Sequence, residues 1–244
     1  MNKKYLIWDF DGTLGYREGR SWAMVLIEVL DRQMPGHSYS ADQLAPHLRT
    51  GFPWHMPERP HTYIISADQW WAEMTPVFVA AFDALGVGVA DPVLARNLAR
   101  QIRPTYCNPD RWRLFDDTLP VLDELAARGW THILLSNHVP ELAIFMDAVD
   151  LSARIAAVFN SAIMGYEKPH PAAFRGVLEI VGDSRPVWMI GDNITADVFG
   201  AAAVGIPGVL VRRPDERAER FCADLWQVAA LVEDAHGPGD SSRD

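Results

Sequence analysis

A chain of 244 residues, 49% of them hydrophobic, is long enough to bury a large core as one domain or as one domain carrying an insert. Its formal net charge of −10, with no run of like charges, argues against a basic nucleic-acid footprint, and no nucleic-acid partner is expected. That charge is still compatible with local anion binding through a metal or backbone amides. The two cysteines, Cys107 and Cys222, lack metal-ligand spacing and read as free thiols of a reducing compartment.

The first element is YLIWDFDGTLG, residues 5–15, an apolar strand that ends in Asp9 and Asp11 and then a glycine turn. Its apolar run, Tyr5 to Trp8, is too short for a signal segment or a membrane span, so a cytoplasmic protein with no membrane partner is expected. Residues from about 16 to 105 show no strand pattern. They carry four helix candidates, about 21–33, 41–49, 67–85 and 91–101, with Ser40, Ser66 and Asp91 as N-caps of the last three. Beyond residue 110, short apolar runs at 132–136, 157–161, 187–192 and 208–212 alternate with helical patterns at 116–129, 140–149, 171–181 and 195–205. Strands alternating with helices imply a parallel sheet covered on both faces. The expected fold is α/β, a doubly wound parallel sheet (a Rossmann-like core) with an inserted α-helical cap domain. The expected division is a core of residues 1–15 and 106–235, a cap of 16–105 and a flexible tail of 236–244.

Four polar pieces punctuate this pattern: DFDGT (9–13), LLSN (134–137), EKPHP (167–171) and GDNITAD (191–197). Three of them follow an apolar strand directly, so they converge on the crevice beyond the carboxyl ends of the sheet, where ligands of such folds sit. Asp9 and Asp192 can give oxygen ligands to a hard cation such as Mg²⁺, Ser136 offers a hydroxyl, and Lys168 a positive charge. A carboxylate there can also serve as a nucleophile toward phosphorus.

The order D-x-D-G-T, then S-N after an apolar strand, then K-P, then G-D-x-x-x-x-D resembles the haloacid dehalogenase superfamily over essentially the whole chain. The resemblance implies that Asp9 is the nucleophile and a metal ligand. It implies that Asp11 is the general acid and base and lends its backbone carbonyl to the metal. Ser136 and the amide of Asn137 would bind phosphate, Lys168 would hold Asp9 and the transferring group, and Asp192 would ligate Mg²⁺. Asp197 would orient the metal's waters or Lys168, Gly12 would supply the tight turn, and the Thr13 hydroxyl would fix the loop. In this superfamily an Asp two residues after the nucleophile marks phosphatases and phosphomutases, because expelling an alkoxide needs a proton and displacing halide does not. The expected activity is Mg²⁺-dependent hydrolysis of a small phosphorylated metabolite, by a monomer or homodimer. The alternatives are a sugar phosphomutase using the same aspartates and a non-catalytic binding protein on this fold.

Taken singly, these pieces have plainer readings. Asp-Gly is a common turn dipeptide, and GDN can simply cap a helix. His138 and His170 read as helix-entry or loop hydrogen-bonding residues. In the cap, GFPWHMPERPH (51–61) makes Trp54, His55 and His61 candidates for choosing the substrate, against aromatic packing between cap helices. Arg17 and Arg20 are candidates for a hinge, a substrate contact or an exposed salt bridge.

Overall fold

The computed structural model describes residues 3–88 and 91–234. Its strands are β1 (Lys4–Trp8), β2 (Gly15–Arg17), β3 (Trp112–Leu114), β4 (Trp130–Ser136), β5 (Ala157–Asn160), β6 (Val187–Gly191), β7 (Gly208–Val211) and β8 (Phe221–Cys222). Six of them form one sheet in the order β5-β4-β1-β6-β7-β8, and every neighbouring pair is parallel. The central strand β1 has β4 on one side and β6 on the other. The strand order therefore reverses at β1, and the crevice beyond its carboxyl end is the natural ligand site of such a sheet.

The period-2 alternation of the strands divides the core between the two faces. Leu6 and Trp8 of β1, Leu134 of β4 and Trp188 and Ile190 of β6 belong to one apolar cluster with Val121, Leu122 and Leu125 of the helix Thr118–Ala127. Tyr5, Ile7, Ile133, Leu135, Val187 and Met189 face the other way and pack on Val177 and Val181 of the helix Arg175–Val181. Runs of this kind read as nearly continuous apolar segments because both faces are buried.

Between β2 and β3 the described chain is helical: Trp22–Gln33, Ala41–Leu44, Ala67–Ala84, Pro92–Arg100 and Ile102–Tyr106. Ser66 and Asp91 cap their helices as expected, accepting from the amides of Gln69 and Val93. The stretch expected as one helix over 41–49 instead divides into Ala41–Leu44 and a 3₁₀ turn, Ala45–Leu48, where Pro46 lacks the amide proton that would continue it. The large apolar cluster runs without a break from the sheet into these helices through Phe10, Tyr106, Trp112 and Phe145, with the Trp112 and Phe145 rings stacked 4.5 Å apart. Glu141, at the start of the helix Leu142–Ala148, fastens the two parts by accepting from Trp71 Nε1 at 3.1 Å and from Arg103 Nε at 3.0 Å.

Three features depart from expectation. Gly15–Arg17 is a strand, paired antiparallel with β3, where no strand pattern was visible; three residues are too few to show a period. Strand β8 and the helix Leu225–Asp234 were not anticipated, although Leu225, Val228, Ala229 and Val232 carry the i, i+3, i+4, i+7 spacing of a buried helix face. The segment 195–205 is a wide π-helical turn, Ile194–Phe199, followed by a short helix, Gly200–Ala202. The expected flexible tail at 236–244 lies outside the described residues. Both cysteines are free, and among the described residues no helix is long and apolar enough to cross a membrane.

Arg17 resolves to a buried tie at the crossing between the two parts. Its guanidinium donates to both carboxylate oxygens of Glu28, at 2.9 and 2.8 Å, and to the Thr105 carbonyl at 3.0 Å. Without Arg17, Glu28 keeps only Arg111 Nη2 at 3.1 Å among the described residues, and the Thr105 carbonyl loses this donor. Arg17→Met is expected to lower the unfolding free energy by about 1–3 kcal/mol, seen as a lower urea midpoint at unchanged slope.

Candidate active site

The ends of β1, β4 and β6 deliver the polar pieces to one place. Asp9 follows β1, and its amide donates to the Ile190 carbonyl of β6 at 2.9 Å. Ser136, the last residue of β4, donates from Oγ to Asp9 Oδ1 at 2.9 Å. Lys168 is 2% exposed, and its Nζ donates to Asp9 Oδ1 at 2.8 Å, Asp197 Oδ1 at 2.6 Å and the Leu135 carbonyl at 2.7 Å. These three acceptors satisfy all three ammonium protons. The loop carrying Lys168 is held by Asn137, whose side chain accepts from the Lys168 amide at 2.7 Å and donates to the Lys168 carbonyl at 2.9 Å. Asn193 opens the π-helical turn by accepting from the amides of Thr195 and Ala196, and its own amide donates to Asp197 Oδ2 at 3.0 Å.

The electrostatics separate the acidic groups. Burial is the largest effect on Lys168 and opposes its charge, but Asp197 and Asp9 together outweigh it and hold the ammonium above its ordinary value. Both groups of the Lys168–Asp197 pair are pushed up, which favours the charge on the ammonium and disfavours it on the carboxyl. Burial, with Asp9 adding to it, pushes Asp197 up to about 7 while Lys168 and the Asn193 amide draw it down. The three hydrogen bonds on Nζ make the charged ammonium the state this geometry fixes. Asp11 reaches the open cleft, yet the walls around it displace bulk water. That desolvation first, then the charges of Asp9 and Asp192, push it up to about 7 against the pull of Arg20. Asp192 rises to about 6 for the same two reasons, desolvation and then Asp9.

Carboxylate oxygens of Asp9, Asp192 and Asp197 lie within 4.8 Å of one another. Asp197 is already occupied by Lys168 and the Asn193 amide, which leaves Asp9 and Asp192 as oxygen donors of the kind a hard divalent cation takes. Gly12 allows this crowding: its φ is +86°, and a Cβ there would lie 2.5 Å from Asp192 Oδ2.

Asp9, Asp11, Gly12, Asn137, Lys168, Asp192 and Asp197 line one cleft of about 980 Å³. On the helical side it is closed by Trp22, Trp54, His55 and Tyr106. Trp54 and His55, expected to choose substrate, therefore reach the cleft. Trp54 also stacks on Phe52 at 4.7 Å, so it serves the packing between helices as well.

A family model for haloacid dehalogenase-like hydrolase matches residues 3–205. The chain belongs to that family. It is 30% identical over 129 residues to haloacid dehalogenase-like hydrolase domain-containing protein 3 of Danio rerio, covering 52% of this chain and 53% of that protein. It is also 30% identical over 154 residues to a phosphoserine phosphatase of Thermus thermophilus, covering 60% and 61%. The chain thus spans a little over half the length of these curated relatives. Among solved structures, the putative HAD-hydrolase YfnB of Bacillus subtilis bound to magnesium superposes with a TM-score of 0.70 at 16% identity, over 96% of this chain and 100% of that one. At that identity the likeness speaks to the fold: an α/β Rossmann-like sheet of this family.

Two expectations about this haloacid dehalogenase-like site need correction. His61 does not line the cleft. It is buried, its amide donates to the Gly165 carbonyl at 2.9 Å, and its Nε2 lies 3.2 Å from the Ser161 carbonyl and 3.5 Å from Glu167 Oε1. It docks the helical part onto the loop that leads to Lys168. Burial pushes the adjacent Glu167 carboxyl up to about 8 and draws the His61 imidazole down. The Thr13 hydroxyl makes no hydrogen bond among the described residues. Its loop is fixed instead by Arg212 Nε donating to the Thr13 carbonyl at 2.9 Å and Thr118 Oγ1 donating to the Leu14 carbonyl at 2.6 Å. His170 caps the next turn by accepting from the Ala172 amide, as expected. His138 also makes the loop hydrogen bonds expected of it, its amide donating to Ser161 Oγ at 3.1 Å and its Nδ1 lying 3.4 Å from the Val139 carbonyl, while its ring packs against Phe10, Trp112 and Phe145 and burial draws it down to about 4.

The raised Asp11 carboxyl has a consequence for stability. Its value in the folded protein, about 7, exceeds the ordinary 3.8, so the folded state binds this proton more tightly than the unfolded chain does. That contribution is complete below the ordinary value and is lost as pH rises through the folded one. Metal-free Asp11→Asn is therefore expected to gain melting temperature over the unmodified protein at about pH 8, and to gain much less at about pH 5. Thermal unfolding in chelator at the two pH values checks this.

Proposed function

We propose that the chain is a Mg²⁺-dependent phosphatase that hydrolyses a small phosphorylated metabolite through a phospho-Asp9 intermediate. One observation carries the reading. Ser136 and Lys168 both occupy Asp9 Oδ1, leaving the second oxygen as nucleophile, and Asp11 lines the same cleft two residues on. The phosphatase-named relative and the magnesium-bound structural relative support the same reading.

In the first half-reaction the free oxygen of Asp9 bonds to phosphorus while the bond from phosphorus to the leaving oxygen breaks. Asp11 gives its proton to that oxygen, releasing a neutral alcohol. In the second half, the Asp11 carboxylate takes a proton from a water whose oxygen attacks phosphorus, and the bond to Asp9 breaks to free phosphate. Lys168 and Ser136 hold Asp9 in place and offset the repulsion between carboxylate and phosphate. Mg²⁺, held by Asp9, Asp192 and the Asp11 carbonyl, would neutralise phosphate oxygens as charge builds on them. Asn137 holds the lysine loop and offers its amide to phosphate. Residues 16–105 form the cap, which closes the cleft against bulk water and, through Trp54 and His55, meets the leaving group.

Release of phosphate from p-nitrophenyl phosphate tests the reading. Activity is expected with Mg²⁺ and not in chelator, with a loss on the order of 10³-fold or more in Asp9→Asn and about 10²–10⁴-fold in Asp11→Asn. Full activity in chelator, or in Asp9→Asn, would contradict it.

A further inference from the structure

Four cationic side chains line the cleft: Arg20, Lys168, Arg212 and Arg213. Three of them are committed to carboxylates. Lys168 serves Asp9 and Asp197, Arg212 pairs with Asp117 at 2.6 Å and Arg213 with Asp192 at 3.3 Å. Arg20 has no hydrogen bond from its guanidinium and no ion pair among the described residues. It lies instead over a platform of two rings, 4.2 Å from the Tyr16 centroid and 5.5 Å from that of Phe115, which are themselves 4.9 Å apart. Stacking engages the flat face of a guanidinium and leaves its in-plane N–H donors free for an oxyanion.

The backbone places Arg20 there at a cost. Its φ is +50°, a left-handed conformation disfavoured for any residue with a side chain, directly after Gly19 at +87°. The Arg20 amide donates to the Arg17 carbonyl at 3.0 Å, so the turn is anchored to the buried Arg17 tie. Ser21 then caps the helix that opens with Trp22, another residue of the cleft wall. The positive end of that helix dipole adds to the field of Arg20.

Arg20 lines the same cleft as Asp11. Its charge acts on Asp11, the group that hands a proton to the leaving oxygen. In a cleft otherwise rich in carboxylates, Arg20 is the lining cation that no carboxylate of the described residues holds.

We propose that Arg20 is a specificity-determining residue, and that the substrate is a phosphate monoester whose leaving portion carries a second anionic group, a carboxylate or a further phosphate, bound by the guanidinium edge. This rests on the phosphatase reading for the position of the scissile phosphate. The oxyanion forms charge-assisted, two-pronged hydrogen bonds with the guanidinium, which an uncharged group of the same size does not replace.

Matched esters test it: 3-phosphoglycerate against glycerol 3-phosphate for a carboxylate, and propane-1,3-diyl bisphosphate against propyl phosphate for a second phosphate. The quantity read is the ratio of kcat/KM within each pair, so any change Arg20 makes to the chemical step through Asp11 cancels. A preference on the order of tenfold or more for the anionic member of at least one pair is expected, falling to within about threefold in Arg20→Met and partly kept in Arg20→Lys. The pair that responds names the anion. A ratio near unity for both pairs in the unmodified protein, or a preference undiminished in a folded Arg20→Met, would overturn the proposal. If neither these esters nor p-nitrophenyl phosphate releases phosphate, the phosphatase reading fails. The same ratios, read as dissociation constants by calorimetry on the unmodified protein and Arg20→Met, then decide the role of Arg20 on the same terms.

Discussion

The buried ammonium of Lys168 is the constraint on which the site depends. It arrives from a loop with no strand of its own behind it, yet it binds the end of β1 through Asp9, the end of β4 through the Leu135 carbonyl and the π-helical turn after β6 through Asp197. Desolvating a charge this thoroughly is unfavourable unless partners surround it, and here two carboxylates and a carbonyl do. The same ammonium makes the carboxylates tolerable to one another. Asn137 extends the arrangement by gripping both the amide and the carbonyl of Lys168, which ties the loop after β4 to the lysine loop.

Around that ammonium, environment divides the labour among similar side chains. Asp9 has one oxygen committed and one free. Asp11, two residues on and facing the cleft, is kept protonated toward neutral pH by desolvation and by the negative charges beside it. On the proposed function, these different surroundings suit one carboxyl to act as nucleophile and the other as proton donor. The crowding is unfavourable to folding above neutral pH, and the large apolar cluster shared by the sheet and the helices supplies the stability that tolerates it.

Much of the site was legible in the sequence for a topological reason. Asp9, Ser136, Asn137, Asp192 and Asp197 all lie at or just past the end of an apolar run, and a parallel sheet brings such ends to one crevice whatever the loops do. The helical insert was legible from four helical periods with no strand pattern between them. What escaped depends on contacts between distant segments. Trp54, His55 and His61 stand within eight residues of one another, yet two reach the cleft and one is turned onto the loop before Lys168. Arg17 and Arg20 look interchangeable in GYREGR, but one is paired with Glu28 inside the fold and the other is left over an aromatic platform. The strands β2 and β3, and the aromatic stack of Tyr106 on Trp22 at 4.1 Å, join residues about 85 positions or more apart and leave no local signal.

The most direct test of the account is to catch the covalent bond at Asp9. Turnover of a phosphate ester in the presence of Mg²⁺ would be stopped by acid and the protein reduced with borohydride, which converts an acyl phosphate to the alcohol. The peptide spanning the first strand would then be sequenced by mass spectrometry. The account predicts homoserine in place of Asp9 and nowhere else, dependent on substrate. Modification at another carboxyl, or sustained turnover with Asp9 never modified, would contradict it.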